Sequence, residues 1–235
     1  MMISKNNLVS VIVPVFNEEK TIAEVLNSLL NISIINQIIV VDDKSTDRTV
    51  EIIKKNFLNE VFLIENSKNV GKGATIRQAL EVVNSEFCCI QDADLELNPK
   101  YIIEYFNLAN SNNLDVVFGS RFKNLKIDGY PLKLSIANKL YTFLINILTN
   151  YNFQDVNCGH KFFKSEVFKN LDFTENHFGA DPEIAYIVAK KKLRHADFQI
   201  DFIARNKKQG KKITWIDGLK FFNVIFSTHK KYRQI

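Results

Sequence analysis

The sequence predicts an α/β protein: a single domain built on a mainly parallel sheet with helices on both faces. Three observations carry this expectation. Through the first half, apolar runs of strand length alternate with segments of helical period. The strands are apolar on both of their sides, as in a sheet covered on two faces. Polar and acidic clusters follow the strands, and open parallel sheets bind ligands beyond the carboxyl ends of their strands.

VSVIVPVF (9–16) reads as a buried strand. In EKTIAEVLNSLLN (19–31), Ile22, Val25, Leu26, Leu29 and Leu30 keep a helical period. QIIVVDD (37–43) is a second strand, and Ser45 or Thr46 can cap a helix over 47–57 with Asp47 in its first turn. EVFLIE (60–65) is a third strand, and GKGATIRQALEVVN (71–84) opens on glycines before turning helical. FCCIQD (87–92) is a fourth strand; Pro99 suits the first turn of a helix over 99–110. DVVFGS (115–120) is a fifth. The second half is less regular. A helix is expected over 131–149 and a short strand then helix over 158–168. A helix over 181–192 has Pro182 and acids early and lysines late. HADFQIDFIA (195–204) alternates like a strand, and 214–233 reads as a broken helix. No repeat, low-complexity tract or linker divides the chain, so one domain over 1–235 is expected.

The 235 residues are 46% hydrophobic and 24% charged, an ordinary globular composition with enough chain for a sizeable core. A net charge of +5 permits an anionic partner, although a solvated lysine-rich surface explains it equally. No nucleic-acid partner is expected. Cys88, Cys89 and Cys158 show no CxxC spacing, which argues against zinc, and an odd count without a framework suits a reducing cytoplasm. MMISKNNLVS lacks the apolar core of a signal peptide. The most apolar stretch, 134–150, is broken by Asn138, Lys139 and Asn146, short of the ~18 residues of a spanning helix. A cytoplasmic location without a membrane span is expected.

FCCIQDADLE (87–96) poses an electrostatic problem, because close acids repel and resist desolvation. In extended chain Asp92 and Asp94 point the same way and can face one divalent cation; Mg²⁺ and Mn²⁺ prefer such oxygens. The alternative is an acidic turn without a ligand. In VVDDKSTDRT (40–49) an acid after the second strand could read a ribose or base edge, or serve as turn and cap. NVGKGATIRQAL (69–80) is neither GxGxxG nor GxxxxGK[ST], which disfavours a dinucleotide dehydrogenase. Lys72 could neutralise a phosphate, or merely precede a helix.

Five segments in order, VSVIVPVFNEEKTI, IIVVDDKSTDRT, NVGKGATIRQAL, QDADLELNP and VVFGSRF, resemble the inverting family 2 glycosyltransferases with the GT-A, Rossmann-like fold. DVNCGHKFF (155–163), FGADPEIAYIVAKKK (178–192) and ARNKKQGKKITWIDGLKFF (204–222) resemble the polyprenyl- or dolichyl-phosphate mannose and glucose synthase branch. The resemblance spans roughly 8–233. It implies a nucleotide diphosphate sugar donor, Mg²⁺ or Mn²⁺, and a lipid-phosphate or hydroxyl acceptor. Residues 1–122 would be the nucleotide-sugar half and 123–235 the acceptor half. Pro14, Asn17, Glu18 and Asp42 would hold the nucleoside. Asp92 and Asp94 would bind the metal, with Glu96 assisting. Arg205 would sit on the diphosphate side with Lys211 nearby, and Arg121 would bind the acceptor phosphate. A phosphate monoester is largely ionised at pH 7 and needs positioning cations. A hydroxyl needs a base, for which Asp181 is the candidate and Glu183 the next.

The chain departs from that family at several points. Lys44 stands where Gly is usual, and His160 where Phe or Tyr is common. Lys133 is the nearest match to a second acceptor cation that is typically Arg. The strand over 196–203 lacks an expected Pro. Helices 131–149 and 219–233 either pack on the core or make a peripheral membrane contact, possible for apolar helices with Lys and Arg. Three functions follow: transfer to a polyprenyl phosphate at the inner membrane face, transfer to a saccharide hydroxyl in envelope polysaccharide synthesis, and non-catalytic binding of a nucleotide sugar.

Overall fold

A computed structural model describes residues 8–122, 131–204 and 215–233, with the side chains of 215–220 outside that description. The first half alternates as its periodicity dictates: β1 (Val9–Val15), α1 (Ile22–Leu30), β2 (Ile35–Asp42), α2 (Thr49–Asn56), β3 (Phe62–Glu65), α3 (Lys72–Val82), β4 (Phe87–Ile90), α4 (Tyr101–Ser111) and β5 (Val116–Ser120). Then come α5 (Leu132–Thr149), β6 (Lys161–Lys164), α6 (Ser165–Lys169), α7 (Ala180–Lys190), β7 (His195–Gln199) and α8 (Trp215–Arg233).

The strands form one seven-stranded sheet in the order β3-β2-β1-β4-β6-β5-β7. All pairs are parallel except those of β6, which runs antiparallel between β4 and β5. Alternation along β4 shows why both faces need cover. Phe87 and Cys89 enter the core beneath α1, α2 and α4; Cys88 and Ile90 enter the core beneath α3 and α5 to α8. All three cysteines are buried and unpaired. Burial pushes the Cys88 and Cys158 thiols up to about 12, so both are inert apolar fillers.

The strand order reverses between β1 and β4, where ligands of open α/β sheets gather. The two loops leaving these strands are joined there: the Thr21 hydroxyl donates to the Ala93 carbonyl at 2.7 Å.

Four local expectations are corrected. The fourth strand ends at Ile90, so Asp92 and Asp94 lie in a turn and strand alternation does not aim them. Neither Ser45 nor Thr46 caps α2. Asp47 does so from outside the helix, accepting from the Thr49 amide at 3.0 Å and the Thr49 hydroxyl at 2.5 Å. The last helix runs unbroken from Trp215 to Arg233, Gly218 notwithstanding. The last strand stops at Gln199, and beyond it Phe202 makes an isolated bridge to Leu97.

Lys44 adopts φ 67°, the left-handed region in which a β-carbon is strained. That is the physical reason a glycine suits this position. Lys44 is exposed, so replacing it loses no packing. Lys44→Gly is expected to stabilise the chain by about 0.5–1 kcal/mol. Urea unfolding measures this, and a destabilised variant would contradict the strain.

Candidate active site

A cavity of ≈ 350 Å³ opens at the carboxyl edge of the sheet. Pro14 near the end of β1, Glu18 after it, Asp92, Asp94 and Glu96 after β4, Arg121 after β5, Lys72 on α3 and Asp181 on α7 all line it. Elements far apart in sequence therefore deliver most of the predicted residues to one place.

Its floor is a row of four charges. Lys72 Nζ donates to Asp92 Oδ1 at 2.7 Å and lies 3.5 Å from Asp181 Oδ2. The other Asp181 oxygen accepts from Lys161 Nζ, which also donates to the Cys158 carbonyl. Lys161 is wholly buried. Burial disfavours the Lys72 ammonium, but Asp181 and Asp92 outweigh it and raise its pKa. Burial likewise works against the Asp92 carboxylate, and Lys72 overcomes it, so the Asp92 pKa is lowered. The row has room because residue 159 is glycine: a β-carbon there would overlap Asp92 Oδ2 and approach Lys72 Nζ to 2.9 Å.

The turn after Asp92 is built locally. Leu95 adopts φ 60°, and the Glu96 amide donates to Asp94 Oδ1 at 3.1 Å. The reversal ends the extended path that would have aligned Glu96 with the aspartates, yet Glu96 still lines the cavity. Among the described residues, no group of three or more His, Cys, Asp or Glu side chains is set to hold a metal ion.

Arg121 is gripped by Asp155. Nε donates to Oδ2 at 2.7 Å, Nη2 to Oδ1 at 2.9 Å, and the Arg121 amide to Oδ2 at 3.2 Å. Asp155 is fully buried, so this fork fixes the guanidinium plane. The Phe202 ring centroid lies 5.3 Å from the Arg121 guanidinium carbon.

Other predicted residues stand elsewhere. The Asn17 side chain turns to the neighbouring loop, its Oδ1 accepting from the Thr46 amide at 2.7 Å. Asp42 is buried; Oδ2 accepts from the Ser45 amide at 3.0 Å, and Oδ1 has no hydrogen-bond partner among the described residues. Lys133 is exposed in the first turn of α5 and does not line the cavity. Glu183 accepts from the Thr174 and Glu175 amides and bounds no part of the cavity. Arg205 and Lys211 lie outside the described residues.

Lys161, Asp155 and Asp43 were missed. Asp43 lines the cavity and accepts from the Val70 and Gly71 amides at 2.7 and 2.8 Å, tying the loop before α3 to the end of β2. Two carried a signal: Asp43 is the second acid closing QIIVVDD, and Lys161 and Lys164 bracket Phe162 and Phe163 in a strand-like run.

A sheet of this order with a charged cavity at its switch point is an α/β domain of the GT-A type. The chain belongs to glycosyl transferase family 2, whose model matches residues 10–172. It is a glycosyltransferase. It is 28% identical to a dolichyl-phosphate beta-glucosyltransferase of Trichomonas vaginalis, over 87% of this chain and 67% of that one. It is 29% identical to a UDP-N-acetylglucosamine–dolichyl-phosphate N-acetylglucosaminyltransferase of Methanococcus voltae, over 92% and 94%. In fold it resembles glucosyl-3-phosphoglycerate synthase of Mycobacterium tuberculosis, solved with Mn²⁺, UDP and glucosyl-3-phosphoglycerate. The TM-score is 0.73 at 17% identity, covering 96% of this chain and 81% of that one.

Two outcomes follow. Lys161→Met leaves a buried aspartate short of a partner and is expected to lower stability by about 3–5 kcal/mol. Lys161→Met with Asp181→Leu should recover part of that in urea unfolding. His160 is buried against Tyr105, whose hydroxyl lies 3.2 Å from Nδ1. Burial pushes its pKa down from 6.5 to about 4, against the pull of Asp92. The unfolded chain therefore takes up this proton first as pH falls. The stability His160 contributes is complete above about pH 6.5 and lost towards about pH 4, a loss of roughly 3 kcal/mol. His160→Phe should flatten that part of the stability profile.

Proposed function

We propose that the chain moves a hexose from a nucleotide diphosphate sugar, of the GDP-mannose or UDP-glucose type, to a polyprenyl or dolichyl phosphate. The reaction inverts the anomeric carbon and uses Mg²⁺ or Mn²⁺. The observation that carries this reading is that one cavity joins the strand-end carboxylates Asp92, Asp94 and Glu96 to the guanidinium of Arg121. Acids suit a cation bridged to a diphosphate, and arginine suits a phosphate monoester. The names of the two dolichyl-phosphate transferases support the acceptor class.

The donor set fits a divalent cation. Mg²⁺ takes one or two carboxylates and completes its shell with water and substrate phosphate. Asp94 would be a direct ligand. Asp92, one oxygen of which is held by Lys72, would be a ligand or a water-mediated partner, and Glu96 would assist. Bound there, the cation supplies charge stabilisation for the departing nucleoside diphosphate. Arg205 and Lys211 are assigned to the same diphosphate, and Pro14, Asn17, Glu18 and Asp42 to the nucleoside. Most residues assigned to the donor fall within 1–122, and 123–235 is assigned to the acceptor; Arg121 on the acceptor and Arg205 and Lys211 on the diphosphate cross that division, and transfer takes place at the cytoplasmic face of the membrane.

The acceptor phosphate is the nucleophile, and Arg121 positions it, held in plane by Asp155. Lys133 joins it by resemblance alone. No base is required, which agrees with an Asp181 whose oxygens both face ammonium groups.

The measurement is transfer of labelled sugar to a short-chain polyprenyl phosphate. Chelation with EDTA should abolish it. Asp94→Ala should lower kcat/KM by about 100-fold or more. Arg121→Lys, which keeps charge but loses the fork, should raise the acceptor KM, while Asp181→Asn keeps most activity. If Asp181→Asn destroyed transfer and Arg121→Lys spared it, the acceptor would be a hydroxyl, as in envelope polysaccharide synthesis.

A further inference from the structure

The outward face of α5 has the polarity of an interior. Its exposed positions are Leu132, Lys133, Ile136, Leu140, Phe143 and Ile147. The five apolar ones are each 50% exposed or more, Phe143 the most at 62%. At 3.6 residues per turn they fall within an arc of about 80° and extend about 22 Å along the helix. The buried face of the same helix carries Ser135, Asn138 and Thr142 beside Tyr141 and Ile145. Asn138 Oδ1 accepts from Asn157 Nδ2 at 2.7 Å, and Thr142 Oγ1 accepts from the Val156 amide at 3.3 Å. A continuous outward face of Leu, Ile and Phe, with Ser, Asn and Thr sharing the buried side, is not the pattern of a helix whose outer face meets water.

The surroundings are basic. No carboxylate occurs between residues 131 and 150, where Lys133 and Lys139 stand. Helix α8 packs beside α5, with Tyr141 edge-on to Phe221 and Phe222. On α8, Phe226 is 53% exposed.

We propose that this face docks the protein on an anionic lipid bilayer, with α5 lying in the interfacial plane and its apolar stripe among the acyl chains. Among the described residues no helix is long and apolar enough to cross a membrane, so α5 lies on the bilayer and does not span it. Charge decides between lipid and a second copy of the chain. A two-fold dimer through this face would set its cations against the same cations, whereas anionic headgroups neutralise them. Position gives the docking its use. Asn157, bonded to Asn138 behind the stripe, lines the cavity, so the lipid-facing helix is one side-chain layer from the site. That use rests on the lipid-phosphate reading above; the docking itself does not.

Co-sedimentation with vesicles tests it. The full chain should pellet with phosphatidylcholine–phosphatidylserine vesicles, less with phosphatidylcholine alone, and less as salt rises. Ile136→Ser with Phe143→Ser should lower the partition coefficient by about tenfold or more. Leu58→Ser, 57% exposed on a different loop, should not. All three positions are exposed, so an unchanged melting temperature verifies the fold. The proposal is overturned if the unmodified chain pellets no better with vesicles than without, or if the double variant pellets like it. It is equally overturned if the chain is a dimer that the double variant splits while neither binds vesicles; the face then belongs to a second copy. Transfer to a short-chain acceptor without vesicles separates the two readings. Its failure in the unmodified chain strikes the acceptor assignment alone, and lost vesicle binding with transfer intact strikes the docking alone.

Discussion

Asp92, Lys72, Asp181 and Lys161 belong to four different elements: the turn after β4, the first residue of α3, the first turn of α7, and β6. An isolated charge at that depth would be costly by several kcal/mol, and a carboxylate pair would be worse. Strict alternation of sign makes the row neutral, with each charge beside its opposite. Four elements are thereby fixed to one another at the sheet edge, and the cavity inherits its shape from them. Close approach is part of the same constraint. Gly71, with φ 94°, and Gly73 let the start of α3 lie against residues 175–180, where a β-carbon on either would collide.

Much of the fold was legible because local periodicity reports it. The strand–helix alternation to residue 120 and the helices over 132–149 and 180–190 follow directly from apolar spacing. So does the short strand before α6, but its reversed direction does not, since pairing between β4 and β6 joins residues more than seventy apart and leaves no local trace. Its register sets Lys161 opposite Ile90, two residues before Asp92, which is how an ammonium reaches the floor of the site. One of the four charges in the row, Lys161, was therefore hidden. The hydrogen bonds of the Asn17 and Glu183 side chains to neighbouring loops are likewise absent from any local pattern. Backbone conformation at Leu95 and Lys44 is equally silent in a pattern of apolar and polar letters.

The two sides of the cavity are organised by different means. On the side proposed for the donor, carboxylates extend from short turns that brace one another, as Thr21 does with Ala93. On the side proposed for the acceptor, a single arginine is held rigid by a buried acid, and the helix that follows exposes its apolar stripe. A soluble nucleotide and an acceptor of different solubility would meet between a polar rim and an apolar flank, which is the division of labour the proposed reaction requires.

The place of β6 in the sheet also bears on how the chain is made. During synthesis β1, β2, β3 and β4 are complete by residue 90, yet one edge of β4 has its partner only when residues 161–164 emerge. At the ~5–20 residues per second of translation, that apolar edge waits several seconds with its amides and carbonyls open. A nascent chain halted between those points would present an unpaired Phe-Cys-Cys-Ile ribbon to its neighbours. The strand that brings Lys161 to the site also closes this edge.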